Sequence, residues 1–303
     1  MYVRVLGSAA GGGFPQWNTN VGLNHQLHEG STRATARTQS SIAVSADYKH
    51  WLLVNASPDV RQQVLDFPAL RPAPGKRGTG IGAILLMDSQ IDHATGLIIL
   101  REGDTLPIWS TRPVYEDLTT GLPLFNVLEH YCGVDWHEID TAAPSFPIDG
   151  VPGLSFRAVE LSSAAPPYSP HRGDPHPGDN IGLIVTDDAT GGTLFYAPGL
   201  GAPDETIAAI ARKSDCLLVD GTFYTETEMI DQGVGVKPAA EMGHLPQSGE
   251  NGMLAWLADF PSTRRVLIHI NNTNPILDPD SPERATVENA GVEVAYDGME
   301  IQL

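Results

Sequence analysis

The chain has 303 residues, of which 41 % are apolar and 18 % are charged, a composition typical of a globular protein and unlike that of disordered or fibrous chains. Eighteen Lys and Arg residues against 37 Asp and Glu residues give a net charge of −19, so the overall field repels nucleic acid and anionic membrane surfaces. Two cysteines, Cys132 and Cys216, are too few for a disulfide framework or for a zinc site made of thiolates.

The sequence shows no targeting or membrane-spanning pattern. Its first residues lack a basic segment followed by an apolar one. The longest apolar runs, such as residues 81–87, are far shorter than the ~20 residues that span a bilayer. We therefore expect a cytoplasmic protein without nucleic-acid or membrane partners.

Short apolar runs closed by turn residues recur along the chain and predict buried strands. Capping patterns and apolar spacing predict fewer helices between them. The predicted strands are Tyr2–Leu6, Ser41–Val44, Trp51–Val54, Gly82–Met87, Ile108–Ser110, Leu154–Ala158, Ile181–Thr186, Thr193–Tyr196, Cys216–Val219, Arg265–Ile270 and Val292–Tyr296. The predicted helices are Val60–Phe67, Ala94–Arg101, Asp204–Lys213, Gly252–Phe260 and one between Ser281 and Gly291.

This order of elements favours two packed sheets with helices outside, because helices are scattered along a chain in which strands outnumber them. Residues 162–180 contain five prolines without any periodicity, which indicates a long irregular loop of the kind that often carries function. The glycine-rich run 7–13 lacks the Lys-Ser/Thr of a phosphate loop. We interpret that run as a tight turn or a close approach of the backbone to a ligand.

Polar side chains follow two of the predicted strands. In LLMDSQIDHATG (85–96), an apolar strand ends in Asp88, Gln90, Asp92 and His93, and in RRVLIHINNTNP (264–275), His269 ends another strand ahead of three asparagines. Strand ends at the rim of a sheet are where ligands usually bind. The asparagines behind His269 are typical of groups that orient a ligand side chain.

These segments resemble the metallo-β-lactamase superfamily. The Asp92-His93 pair is similar to the end of its H-x-H-x-D-H signature, HPGDNIGLIV (176–185) to its P-G-H motif, LFYAPG (194–199) to its Y-x-G-D strand, and His269 to its last metal ligand. Within the superfamily, GSAAGGGFPQWN, NASPD, DSQIDH, VDGT, EMGH and HINNTNP resemble the pyrroloquinoline quinone (PQQ) biosynthesis protein B family over nearly the whole chain. The resemblance implies one domain (1–303) of the α/β (α+β) class, an αββα four-layer sandwich of two mixed β-sheets with helices outside.

The departures from the superfamily pattern bear on the chemistry. Carried over position by position, the first metal site becomes Asp88, Gln90 and Asp179, and Gly199 stands where the bridging Asp would be. The second site is complete as Asp92, His93 and His269. Two imidazoles and one carboxylate leave open positions on one face, a pattern typical of non-haem Fe(II) enzymes that activate dioxygen. This favours one metal, Fe(II), over two-metal hydrolysis, although zinc or copper could occupy the site in purified protein.

The resemblance implies a role in PQQ biosynthesis: iron-dependent hydroxylation of the tyrosine ring of a precursor made from glutamate and tyrosine, with dioxygen. Asp88, Gln90 and Asp179 would then face the substrate as catalytic groups. Residues proposed to bind its carboxylates and polar groups are Arg37, Arg101, His171, Arg172 and Asn271. Two alternatives are a soluble carrier of PQQ or its precursor towards the periplasm and a metal-dependent hydrolase. Other proteins of PQQ biosynthesis are candidate partners.

Two further expectations concern other motifs. Members of the family commonly carry a cysteine cluster after P-Q-W-N, whereas this chain has Val21, Leu23 and His25 there, and His28 follows. We therefore expect no structural zinc, with Val21 and Leu23 supplying apolar packing instead. Asp220 in VDGT and His244 in EMGH resemble motifs at the same rim in relatives that cleave RNA precursors, and we leave their roles open.

Overall fold

The computed structural model describes residues 1–162 and 164–303. The first of its two β-sheets has seven strands in the spatial order β13-β1-β2-β3-β4-β5-β6. Strand β1 pairs antiparallel with its neighbours on both sides, and the strands from β3 to β6 run parallel. Numbered along the chain, these strands are β1 (Tyr2–Gly7), β2 (Ser41–Ser45), β3 (Trp51–Val54), β4 (Ile81–Leu85), β5 (Leu106–Ser110), β6 (Val134–Glu138) and β13 (Glu300–Gln302).

The second sheet has six strands in the order β12-β11-β10-β9-β8-β7. An antiparallel meander from β7 to β9 continues into parallel strands, so this sheet is mixed like the first. Its strands are β7 (Leu154–Glu160), β8 (Ile181–Asp187), β9 (Thr193–Ala197), β10 (Cys216–Asp220), β11 (Arg264–Ile268) and β12 (Glu293–Val294).

Short α-helices connect the strands. Two of them begin with side-chain caps: Asp204 accepts a hydrogen bond from the N–H of Ile207, and Ser281 accepts one from that of Arg284. The helices are α1 (Gly22–His28), α2 (Val60–Asp66), α3 (Ile91–Ala94), α4 (Arg112–Thr119), α5 (Leu124–Leu128), α6 (Glu205–Ala211), α7 (Glu228–Asp231), α8 (Met253–Leu257) and α9 (Pro282–Asn289).

Three apolar layers hold these elements together. The central layer joins inward-facing residues of both sheets, such as Val44 and Leu85 from the first and Leu183 and Val266 from the second. One outer layer packs α2, α4 and α5 on the first sheet, and the other packs α6, α8 and α9 on the second. The arrangement is the predicted αββα sandwich, and Cys216 lies in its central core as a free, buried thiol.

The structure differs from the sequence prediction at several elements. The helix expected over Ala94–Arg101 begins earlier, at Ile91, and gives way to a 3₁₀ turn over Thr95–Ile98. A Cβ on Gly96 would lie 2.1 Å from the Ser57 carbonyl oxygen, so this segment is pressed against the chain after β3. The sequence prediction also missed α1, α4, α5, α7, β6 and β13, which are short or have polar sequences.

Val21 corrects a second expectation. Its side chain is 46 % exposed, so it does not supply the apolar packing predicted for it, whereas Leu23 packs against the outer layer of the second sheet. The expected irregular loop carries no helix or strand in the part of 162–180 that the structure describes.

The two sheets are joined by backbone contacts along one edge. Residues after β4 meet the residue before β8 through a bridge between Asp88 and Asn180, and Ala9, after β1, bridges to Ile270, after β11. The polar segments 85–96, 176–185 and 264–275 each contribute a residue to these bridges. Within the described residues, no helix is both long enough and apolar enough to cross a membrane.

Candidate metal centre

Asp92, His93 and His269 meet at the edge where the two sheets join. One side-chain donor atom from each lies within 4.8 Å of the other two. The Asp92 Oδ2 is 3.3 Å from His269 Nε2 and 3.7 Å from His93 Nε2. Two residues come from α3, which follows the first sheet, and the third follows β11 of the second. The three predicted metal ligands therefore form one cluster.

The backbone turns sharply at His269 to present its ring. Its φ is +62°, a left-handed conformation that non-glycine residues seldom adopt, and such outliers concentrate at functional sites. Strand β11 ends at the preceding residue, so the side chain leaves the sheet at its carboxyl end. The backbone N–H of Ile270 is then fixed by the Ser8 carbonyl at 2.9 Å.

Asp88 orients the ring of His93. Both oxygens of its carboxylate lie within hydrogen-bond distance of His93 Nδ1, at 2.8 and 2.9 Å, and one also accepts the N–H of Gln90. Because a carboxylate can only accept, Nδ1 carries a proton and Nε2 is the atom left for a metal. A carboxylate behind a metal-ligating histidine is a common supporting arrangement.

A second relay orients His269. Thr222 Oγ1 donates to Asp220 Oδ1 at 2.5 Å, so its lone pairs accept the Nδ1–H of His269 at 2.9 Å. The other oxygen of Asp220 accepts from His244 Nδ1 at 2.9 Å, and the His244 ring lies 5.4 Å from that of His269. Asp220, His244 and His269 also form a group of closely spaced donors. Asp220 thus holds two imidazoles at the site.

The electrostatics of the cluster favour a cation. Burial opposes the charge on His93, but the carboxylates of Asp88 and Asp92 outweigh that effect and raise the pKa of His93 to about 9. Burial alone would raise the pKa of Asp92, and the neighbouring His93 and His269 instead hold it well below its usual range. His93 Nε2 is buried without a hydrogen-bond partner. A buried donor atom facing a carboxylate and a second imidazole is what a bound metal would satisfy, so the residues fit one.

The positions that correspond to the first metal site of the superfamily hold different residues here. At Gly199, where the bridging Asp would stand, a Cβ would lie 3.0 Å from the side-chain amide of Asn180. Asp179 is buried, with one oxygen accepting from the N–H of His176 and the other without a partner, and burial raises the pKa of its carboxyl. Gln90 is half-buried and lines a cavity beside α3. The catalytic roles predicted for Asp88, Gln90 and Asp179 stay predictions.

Two of the arginines predicted to bind substrate have other partners. Arg37 is buried, donates to Ser8 Oγ and the Ala295 carbonyl, and burial lowers the pKa of its guanidinium to about 10. Arg101 donates to the Ile98 carbonyl and pairs with Glu102. Among the described residues, neither forms a hydrogen bond or ion pair with the three candidate ligands.

The remaining predicted substrate residues lie on loops. His171 is 2.9 Å from a Glu116 oxygen. Arg172 donates to the Ala165 carbonyl and lines the same cavity as Gln90. Asn271 is buried and donates to Thr273 Oγ1 at 2.6 Å, so it builds the loop after β11. His25 lies on α1 beside Asn20, and the expected absence of a structural zinc stays a prediction.

Sequence reasoning missed Thr222, whereas it anticipated a close approach at the glycine-rich run. Thr222 belongs to the VDGT motif that drew attention to Asp220, and a hydroxyl two residues after a strand-end carboxylate was the available signal. A Cβ on Gly11 would lie 3.3 Å from the Asp92 carboxylate. The run therefore brings bare backbone against a candidate metal ligand, and the tight approach expected from its composition is present.

Comparison with known proteins shows which family the chain resembles. The profile of the beta-lactamase superfamily domain matches residues 50–270. The chain is 59 % identical over 304 residues to coenzyme PQQ synthesis protein B of Pseudomonas putida strain W619, covering all of both chains. The crystal structure of Zn²⁺-bound PqqB from Methylobacterium extorquens superposes with a TM-score of 0.89 at 38 % identity over both full chains.

A more distant structure shares the fold alone. It is a diphosphatase of the PhnP family, at 18 % identity and a TM-score of 0.69, and the match covers 99 % of this chain and 96 % of that one. The full-length matches to the PQQ synthesis proteins are far more specific. This chain belongs to the coenzyme PQQ synthesis protein B family of the beta-lactamase superfamily.

Proposed function

We propose that this protein acts in PQQ synthesis as an Fe(II)-dependent oxygenase that hydroxylates the tyrosine-derived ring of a glutamate–tyrosine precursor. The observation that carries the proposal is the convergence of two imidazoles and one carboxylate, from Asp92, His93 and His269, within 4.8 Å. This donor set is typical of non-haem iron sites with open positions on one face. Family membership supports the pathway, and the donor set supports the proposed reaction class.

The protein's own residues have separable tasks in this proposal. Asp92, His93 and His269 would hold the iron, which when bound supplies the chemistry of dioxygen activation. Asp88 and Thr222 keep the two imidazoles turned with Nε2 towards the site, because each engages the Nδ1 atom. Gln90, which lines the adjacent cavity, and Asp179, which keeps one oxygen free of protein partners, are the groups proposed to contact the phenol.

The residues at the first metal site favour oxygenation over two-metal hydrolysis. A second metal would need the bridging carboxylate that Gly199 cannot supply, and the Asn180 amide lies against that position. Two-metal hydrolysis uses a pair of ions to stabilise the attacking and leaving oxygens. A single site with a neutral amide at Gln90 is better suited to a reaction that needs one metal.

The overall reaction balances with an external reductant. One oxygen atom of dioxygen enters the ring in place of a hydrogen, and the other leaves as water. The reductant, which is ascorbate in the assay, supplies two electrons. These electrons and two protons reduce the second oxygen atom to water.

The test is anaerobic loading with Fe(II), followed by dioxygen and a cross-linked glutamate–tyrosine analogue in the presence of ascorbate. We expect substrate-dependent oxygen uptake and a product heavier by one oxygen atom. Asp92→Ala should lower turnover by orders of magnitude, and His25→Ala, which changes an imidazole on α1, should leave it unchanged.

Two outcomes would contradict the proposal and favour a different function. Oxygen uptake that is absent with iron, together with phosphodiester hydrolysis by the zinc-loaded protein, would establish a hydrolase. Tight binding of PQQ that survives Asp92→Ala, without any oxygen uptake, would establish a carrier.

A further inference from the structure

A cavity of about 360 Å³ lies beside the candidate metal centre. Gln90 forms part of its wall and precedes α3, which carries Asp92 and His93. Gly243 forms another part and precedes His244, whose ring stacks on that of His269. The cavity volume is within the range of about 300–1,000 Å³ that is usual for small-molecule pockets. Residues that adjoin Asp92 and His93 on one side and His244 on the other therefore form parts of the cavity wall.

The charges on the cavity wall are unlike those of the rest of the protein. The chain carries a net charge of −19, yet this wall presents two cations, Arg172 and Lys237, against one acid, Glu241. Neither cation forms an ion pair with any other residue that the structure describes. Both are exposed, so their charges are available to a ligand.

Arg172 is also held in place. One terminal nitrogen of its guanidinium donates to the Ala165 carbonyl within the same loop. A guanidinium has five N–H donors in a planar fork that matches a carboxylate. The anchor therefore restricts the side chain and leaves most of its donors unused. Lys237 comes from a different segment, between α7 and His244, so two parts of the chain bring positive charge to one cavity.

We infer that this cavity is a carboxylate-binding subsite, in which Arg172 and Lys237 receive the acidic groups of an aromatic polycarboxylate and direct its ring towards Asp92, His93 and His269. The inference rests on the proposed function for the identity of the ligand. It explains how a strongly acidic protein binds an acidic compound: local cations at the site counter the repulsion of the whole molecule. Glu241 opposes binding of the same ligand.

The experiment measures the binding of PQQ, a fused-ring tricarboxylate, to the zinc-loaded protein by isothermal titration calorimetry. We expect Lys237→Ala and Arg172→Ala each to raise the Kd about tenfold, because each removes a charge-assisted hydrogen bond. Lys237→Arg should restore binding, and Glu241→Gln should lower the Kd. Added salt should weaken binding by the unaltered protein more than by Lys237→Ala.

The matched control is Lys49→Ala, which removes the same charge from the turn before β3, at the end of that strand opposite the metal centre. It should leave the Kd within twofold. Equal weakening by Lys49→Ala and Lys237→Ala would show that only net charge matters, and an unchanged Kd in both Arg172→Ala and Lys237→Ala would overturn the subsite.

The oxygen-uptake assay separates this inference from the proposed function. Unchanged PQQ affinity and unchanged KM in the cavity variants, with normal oxygen uptake, would overturn the subsite and leave the oxygenase in place. Weakened PQQ binding in a protein that shows no oxygen uptake would support the subsite and overturn the oxygenase.

Discussion

At the scale of single residues, the orientation of the candidate imidazole ligands depends on the hydroxyl and carboxylate groups that engage their Nδ1 atoms. Thr222 accepts from His269 Nδ1 only because Asp220 takes the hydroxyl hydrogen. The chain of bonds therefore decides which ring nitrogen faces Asp92. A histidine without such a partner exchanges tautomers and loses part of its affinity for a metal.

Thr222→Val tests this relay. Valine keeps the shape of threonine and the backbone N–H that donates to Asp220, but it leaves His269 Nδ1–H buried without an acceptor. We expect Zn²⁺ affinity, measured by competition with a chelating dye, to fall about 10- to 100-fold. Thr263→Val is the matched control, because Thr263 is buried just before β11, at the end remote from His269. Equal affinities in both variants would contradict the relay.

At the scale of elements, the parts of the site predictable from sequence were those carried by one local segment. An apolar run followed by Asp92 and His93 is visible as a pattern, and so is a strand that ends in His269. The helix predicted over Ala94–Arg101 was misplaced, and the contact of Gly96 with the chain after β3, within the 3₁₀ turn that replaces its first part, is tertiary. Lys237 was missed for the same reason, since only the fold brings its loop beside Gln90.

Helix α7 supports the loop after β11 through a buried carboxyl. Glu228 accepts from Thr273 Oγ1 at 2.5 Å and from the N–H of Tyr224 at 2.7 Å. Burial raises the pKa of Glu228 to about 7, although these hydrogen bonds oppose the shift. The folded protein therefore binds a proton more tightly here than the unfolded chain does, so its stability falls as pH rises from about 4.5 to about 7.

Glu228→Gln should remove that pH dependence. The amide oxygen can accept from Tyr224 and the amide nitrogen can donate to Thr273, so the variant keeps the packing without the charge. We expect the free energy of unfolding of the variant minus that of the unaltered protein to be higher at pH 8 than at pH 5, by an amount on the order of 2–3 kcal/mol. Urea unfolding at both pH values measures it. A difference that does not vary with pH would contradict the raised pKa.

At the scale of the whole molecule, the candidate metal site joins the two sheets. Asp92 and His93 follow β4 of the first sheet, and His269 follows β11 of the second. The ligands are separated by more than half of the sequence. Only the folded chain brings all three together, so the unfolded chain would not bind the metal in this way. The acidic balance of the chain also disfavours the compact state through self-repulsion, and a divalent cation reduces it.

Metal binding should therefore raise the thermal stability of the protein through the site. At a free Zn²⁺ concentration of 100 times the Kd, linkage adds about 2.7 kcal/mol, or roughly 5 °C in Tm for a chain of this length. Asp92→Asn should abolish the rise in 150 mM NaCl, whereas His25→Ala should keep it. An equal rise in Asp92→Asn, or with Mg²⁺ in place of Zn²⁺, would show that the ions act by relieving charge repulsion instead of joining the sheets, because Mg²⁺ prefers oxygen ligands to imidazole.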